Sequence, residues 1–266
     1  VAGSVGSGIY VRGRGLTGFS NAILDNTVYN GSSHGIHVYL GASSDTTDSL
    51  FAGNVVFGNS SSGLFFEGLS DNYYENISFA NQNGFEIDAW NVAGVVSNNT
   101  FVGNTADGLI TGFSTSDPST VRNNIFAWNG DDGLDENIPI ANDYNLLYNP
   151  DGMDYEGSSQ GSNSINATDP NFVQEVASSS ATGGSTATLV DTAKSWTTDE
   201  WIGSGVHITG ASCPAITASP ETNVWAGVWH NTSDTLFLSP TLLGAVDSNC
   251  TYYITNFYLQ DDSAAL

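Results

Sequence analysis

A chain of 266 residues holds either one long domain or two ordinary ones, and its 30 Gly, abundant Ser, Thr and Asn and only 12% charged residues disfavour helices and favour strands joined by turns. Its 28 Asp and Glu against 4 Lys and Arg give a formal net charge of -24, which argues against nucleic acid as a partner because phosphate binding needs clustered cations. No apolar run is long enough to span a bilayer and no signal peptide is legible, so with Val1 in place of an initiator Met a mature or excised secreted or cell-surface product is expected.

Reading from the N-terminus, a tetrapeptide of Gly, apolar, any residue, apolar recurs as GIYV from Gly8, GIHV from Gly35, GLFF from Gly63 and GFEI from Gly84. Weaker copies follow from Gly108 (GLIT), Gly133 (GLDE) and Gly152 (GMDY). A second pattern places an apolar residue two positions after Asn: Val28 after Asn26, Val56 after Asn54, Phe101 after Asn99, Phe126 after Asn124 and Leu147 after Asn145. In the remaining turn Phe79 takes the apolar place and Asn76 reads as displaced by one. A third apolar patch precedes each Asn, at Ile23, Leu50, Tyr73 and Tyr74, Val95 and Val96, and Val121. The irregular spacing of 19 to 28 residues suits coils whose loops vary, each coil holding three short strands. Gly is expected to supply unusual backbone angles at corners, and Asn to bond to its counterpart one coil away. Period-two alternation sends Ile9, Ile36, Leu64, Phe85, Leu109, Leu134 and Met153 inward as one stack.

These Gly-led strands, the pairs Asn98-Asn99 and Asn123-Asn124, and the segment Asp169-Pro170-Asn171-Phe172-Val173 resemble right-handed parallel β-helix proteins of the pectate-lyase-like superfamily. In that family a DPxF segment is followed within a few residues by a stretch like DFxLxxxSPAxD. Here Asn256-Phe257-Tyr258-Leu259-Gln260 and Ser263-Ala264 match its first part only after a long intervening stretch. The resemblance therefore implies an all-β chain: a right-handed parallel β-helix over 1–176, a small inserted β-barrel or sandwich-like module over 177–255, and a return segment over 256–266. Within the insert, strands are expected at Ala187 to Val190, Gly205 to Thr209, Val224 to Trp229, Thr235 to Leu238 and Thr251 to Thr255. Its Thr188-Leu189-Val190-Asp191 and Trp196-Thr197-Thr198-Asp199-Glu200-Trp201 resemble a small β module of phage and bacterial surface proteins. Trp196, Trp201, Trp225 and Trp229 are expected to build its core, and Cys213 and Cys250 to form a disulfide in an oxidising compartment.

The outward second place of the Gly-led strands carries Tyr10, His37, Phe65, Glu86, Ile110, Asp135 and Asp154; the fourth carries Arg12, Tyr39, Glu67, Asp88, Gly112, Asn137 and Glu156. Polysaccharide-active β-helices use such a face as a groove, so the resemblance implies glycan-binding candidates in Tyr10, Tyr39, Phe65 and Trp90. Asn129-Gly130-Asp131-Asp132-Gly133 resembles the NGDD segment of polygalacturonase-type hydrolases, whose paired carboxylates act as acid and base. That family's Gly-His-Gly and Arg-Ile-Lys segments are absent, and a simple turn accounts for the same letters. Asp131, Asp132 and Asp135 are the carboxylate candidates for catalysis, and Arg12, His37 and Tyr39 a second, lyase-type acid-and-base patch. Calcium is the better use of Asp131, Asp132, Asp135 and Glu136 with Glu86 and Asp88, since it takes several hard oxygen ligands. The leading expectation is a non-enzymatic structural or adhesive surface unit, self-associating or binding other surface proteins or polysaccharide; the alternative is a polysaccharide lyase or glycoside hydrolase.

Overall fold

The computed structural model describes residues 1–12, 21–39, 49–67, 71–88, 94–112, 120–137, 140–219 and 224–259. The chain divides into two compact units with a boundary between Pro170 and Asn171.

The first unit is a parallel β-helix. Short strands stack in register into three columns, two of seven strands and one of six. The Gly-led column runs from Ile9–Arg12 through Ile36–Tyr39, Leu64–Glu67, Phe85–Ile87, Leu109–Thr111 and Asp132–Glu136 to Met153–Glu156. A second column starts at Ala22–Leu24 and ends at Ala141–Asp143; a third starts at Thr27–Tyr29 and ends at Ile165–Asn166. Register puts like on like: Ile36 faces Leu64, Leu64 faces Phe85, and Phe85 faces Leu109. All four are fully buried. Opposite them lie Phe51, Tyr73 and Val96 from the second column and Val56, Phe101 and Phe126 from the third. Phe101 and Phe126 stack 5.2 Å apart, so each aromatic is paired along the helix axis as well as packed across it.

Two corners of each coil lie among the described residues. Residues with positive φ, among them Asp25, Gly53, Glu75, Asn98, Asn123 and Tyr144 at the first corner, each precede an Asn. That Asn accepts a bond from the backbone and the side-chain amide of the Asn one coil before it. Asn76, for example, donates to Asn99 Oδ1 at 3.0 Å from its N–H and 2.9 Å from Nδ2. The ladder runs through Asn26, Asn54, Asn76, Asn99, Asn124 and Asn145 to the hydroxyl of Ser164. A second ladder, at the other corner, runs through Asn59, Asn81, Asn104, Asn129 and Asn149. Both satisfy buried corner backbone that no sheet reaches.

Several sequence expectations change. Asn76 is not displaced: it sits in register, and Ser78 takes the inward place, its hydroxyl donating to the Gly84 carbonyl at 2.7 Å. Phe79 instead stacks on Phe57 at the corner. The inward residue of the second column is Phe51 rather than Leu50. The glycines that lead the first column have ordinary φ; their need is space, since a Cβ on Gly84 would lie 2.5 Å from the Gly108 carbonyl oxygen and 2.9 Å from Phe101. In the last coil Met153 pairs with Asp132, so Tyr155, not Met153, completes the core stack, and Glu156, not Asp154, takes the second outward place. Met153 is accordingly exposed.

The second unit is one curled antiparallel sheet, a half-barrel of seven strands. The five expected strands are present at Thr188–Val190, Gly205–Thr209, Val224–Asn231, Thr235–Ser239 and Thr251–Thr255. Val176–Ser180 and Gly183–Gly184 add the two edges, and a short helix, Pro214–Thr217, starts with Pro at its first turn. Cys213 and Cys250 are disulfide-bonded. Leu189, Val206, Ile208, Val228, Leu236 and Ile254 form the core, with Trp196 and Trp201 packed against it. Trp225 lies on the face opposite the core residues Ala226 and Val228, where His207 and Phe257 bury it, whereas Trp229 is exposed. Residues 256–259 lie in this unit, where Leu259 bridges to Phe172 and Val173 N–H donates to the Tyr258 carbonyl; 260–266 lie outside the described residues.

Candidate functional site

The outward face of the Gly-led column is built from two neighbouring files of side chains. One is the second-place file: Tyr10, His37, Phe65, Glu86, Ile110, Asp135 and Glu156. The other comes from the residue just before each Gly: Ser7, His34, Ser62, Asn83, Asp107 and Asp132. The files meet diagonally. Ser7 reaches His37, His34 stacks on Phe65, Ser62 donates to Glu86, and Asp132 hydrogen-bonds to Glu156.

At one end of this face the pre-glycine file becomes acidic. One oxygen of each acid is used structurally: Asp107 Oδ1 accepts from the Asp132 N–H at 3.2 Å, and Asp132 Oδ1 from the Met153 N–H at 3.3 Å. Asn83 does the same for the Asp107 N–H, so an amide would serve this purpose as well as a carboxylate. Carboxylate oxygens also crowd together at this end. Asp107, Asp131 and Asp132 each offer an oxygen, all within 4.8 Å of one another; Asp107 and Asp132 are buried and Asp131 is exposed. Among the described residues no Lys or Arg pairs with them, the ion pairs being His37 with Glu67 and His230 with Asp199. Burial, then the charges of Asp135, Asp131 and Glu156, push Asp107 up to about 6 against the hydrogen bond from Asp132. Burial, the hydrogen bond with Glu156 and the charge of Asp131 push Asp132 up to about 7. Asp135 is raised by burial and by Glu156.

The other proposed ligands do not join this group. Glu86 is separated from Asp135 along its file by Ile110 and accepts from Ser62 instead. Asp88 lies beside Gly112 in the fourth-place file. Glu136 points inward, as its place in the alternation requires; it accepts from Asn142 Nδ2 at 2.8 Å and the Ile140 N–H at 3.3 Å, and burial raises it. Asp107, which sequence reading did not single out, joins the cluster through the pre-glycine place; the recurring Asp-Gly of Asp107-Gly108 and Asp132-Gly133 was the available signal.

At the opposite end, Tyr10, His37 and Phe65 follow one another along the second-place file, with rings 4.8 Å apart at each step. Tyr10 is half-exposed, whereas Phe65, expected as a glycan-binding ring, is buried beneath the stacked His34. Arg12 lies over the Tyr39 ring at 5.7 Å, and Tyr39 pairs in register with Glu67. His34, also not singled out in the sequence, is held at a pKa lowered to about 4 by burial and by His37. Trp90 lies outside the described residues.

Among the described residues no helix is long and apolar enough to cross a membrane. No curated protein and no solved structure matches the chain. A family model described as "right handed beta helix region" matches residues 7–194. That is more than half of the chain, and with the three parallel columns it establishes that this protein belongs to the right-handed β-helix family.

Proposed function

We propose that the chain is a secreted or cell-surface recognition unit, a rigid β-helix that holds a calcium ion at its acidic end and binds carbohydrate along the face of its Gly-led column. The observation that carries the reading is the approach of the Asp107, Asp131 and Asp132 oxygens to within 4.8 Å, with no Lys or Arg among the described residues paired to them. Three crowded carboxylates repel one another in a partly buried site unless a proton or a cation compensates, and hard oxygen ligands on one side of a rigid strand suit calcium. The half-exposed Tyr10 supplies an apolar face of the kind that stacks on a sugar ring. The disulfide is compatible with an oxidising, extracellular setting. The strand Ile9–Arg12 pairs on one side only among the described residues, which offers a route for self-association or for pairing with another surface protein by strand addition.

A glycan array probed with the full chain tests this, in calcium and in EDTA. Binding to a defined subset of glycans in calcium, lost in EDTA and lost in the Asp107→Asn/Asp131→Asn/Asp132→Asn variant, is expected. Binding that ignores both changes contradicts the cation's role, and no binding to any glycan contradicts the carbohydrate reading. One observation favours a second reading: Asp132 keeps its proton to about pH 7, as the general acid of a glycoside hydrolase must. Release of new reducing ends from a bound glycan, abolished by Asp132→Asn, selects that reading instead.

A further inference from the structure

The aromatic end of the same face carries a different constellation. Ser7 Oγ lies 3.5 Å from His37 Nδ1, and His37 Nε2 lies 3.3 Å from Glu67 Oε1. An ionised carboxylate only accepts, so Glu67 selects the tautomer with the proton on Nε2 and leaves the Nδ1 lone pair facing Ser7. That is the tautomer a general base needs beside a hydroxyl nucleophile. Three coils supply the three groups: Ser7 from a pre-glycine place, His37 from a second place and Glu67 from a fourth place. Their spacing is therefore set by the register of parallel strands, not by one pliable loop. The imidazole is held between Tyr10 and Phe65, its neighbours along the file, each 4.8 Å away edge to face. His37 and Glu67 side chains remain 18% and 30% exposed, enough for a small substrate to reach. Next to Ser7 in its file, His34 stacks on Phe65 with a buried Nδ1 that has no hydrogen-bond partner. The Ser7 backbone N–H donates to no group among the described residues and is a donor of the type that stabilises an oxyanion.

We propose that Ser7, His37 and Glu67 form a nucleophile, base and orienting acid that hydrolyse short-chain carboxylic esters, including acyl groups carried on carbohydrate hydroxyls. Ser7 Oγ bonds to the acyl carbon as its proton passes to His37 Nδ1. The imidazolium, stabilised by Glu67, returns that proton to the departing alkoxide as the ester C–O bond breaks. Water, giving a proton to His37, then attacks the acyl-serine, releasing the carboxylic acid and restoring the Ser7 hydroxyl. No oxidant or metal enters, and none of the three acids of the calcium proposal takes part.

The test uses the full chain in EDTA, with p-nitrophenyl acetate as substrate and a fluorophosphonate as active-site label read by intact mass and peptide mapping. The expected result is a burst of p-nitrophenol and a single phosphonyl adduct on the peptide containing Ser7. Ser7→Ala abolishes both, and His37→Gln slows labelling by about 10²-fold or more. Glu67→Gln lowers kcat with KM unchanged. Ser62→Ala, at the equivalent place two coils on, changes neither readout. An unlabelled wild-type protein, an adduct elsewhere, or hydrolysis that persists in a Ser7→Ala protein of unchanged melting temperature overturns the proposal; adduct mapping on the wild type holds even if a variant fails to fold.

Discussion

Asn99 shows what single residues do in this fold. Its Oδ1 accepts from both the backbone and the side chain of Asn76, and its Nδ2 donates to the carbonyls of Tyr73 and Ser97. Asn99→Ala strands these partners where water cannot reach, and is expected to cost about 3 kcal/mol in chemical denaturation. The first Asn ladder was legible because an apolar residue follows five of its six Asn residues by two positions, Asn76 with Ser78 being the exception. The second was not, although its Asn residues fall four or five positions further on, because they lead no strand of their own: Asn59 after Asn54, Asn81 after Asn76, Asn104 after Asn99. His34 makes the opposite demand, a half-buried ring that stays neutral. Its folded pKa of about 4 lies below the ordinary 6.5, so the unfolded chain binds the proton more readily between those values. Its share of stability is complete above the ordinary pKa and is lost as pH falls through that window. His34→Phe keeps the ring against Phe65 without the titration, so thermal melts at pH 7.5 and about pH 4.5 are expected to fall further for the wild type than for the variant. Parallel falls contradict this.

At the scale of elements, the Gly-led column was readable down to its inward residues for Ile36, Leu64, Phe85, Leu109 and Leu134, because period-two alternation and the close approach at each Gly act together. It misled at the last coil. Gly152 mimics the repeat, but the strand pairs two residues further on, with Tyr155 opposite Leu134. The acidic end was half legible: Asp131 and Asp132 stood out as a pair, while Asp107 joins them only through a register that sequence spacing does not show. Asn83 in the pre-glycine place accepts the same hydrogen bond between coils as Asp107, so an amide there keeps the bond without the crowded charge. Asp132→Asn is therefore expected to stabilise the cation-free protein by about 1 kcal/mol at pH 7.5, measured by denaturation in EDTA. A loss of stability there assigns the acid a purely structural role. In the second unit the strands rich in Val, Ile and Tyr were legible. Val176–Ser180 was not, since its run of Ser carries no strand signal and it pairs only as an edge, through a bulge, with Thr251–Thr255. Replacing Cys213 and Cys250 with Ser opens a loop closed over 37 residues and is expected to cost about 4 kcal/mol, seen in the fluorescence melt of Trp196, Trp201 and Trp225.

For the whole molecule, composition foretold the architecture: a chain poor in charge, rich in Gly and Asn and patterned in short apolar runs builds a coil whose corners are satisfied by side-chain amides. Seven stacked strands give a face about 30 Å long, with rings and imidazoles at one end and carboxylates at the other. The net charge of -24 sets the sign of what this face attracts, and the proposed divalent cation would turn the repulsive acidic end into one that accepts oxygen ligands. Isothermal titration of the wild-type chain and of Asp132→Asn with calcium tests this most directly. The account predicts saturable binding near one ion per chain in the wild type, with a raised melting temperature, and loss of both in Asp132→Asn. Equal, weak and non-saturating heats from the two proteins contradict it.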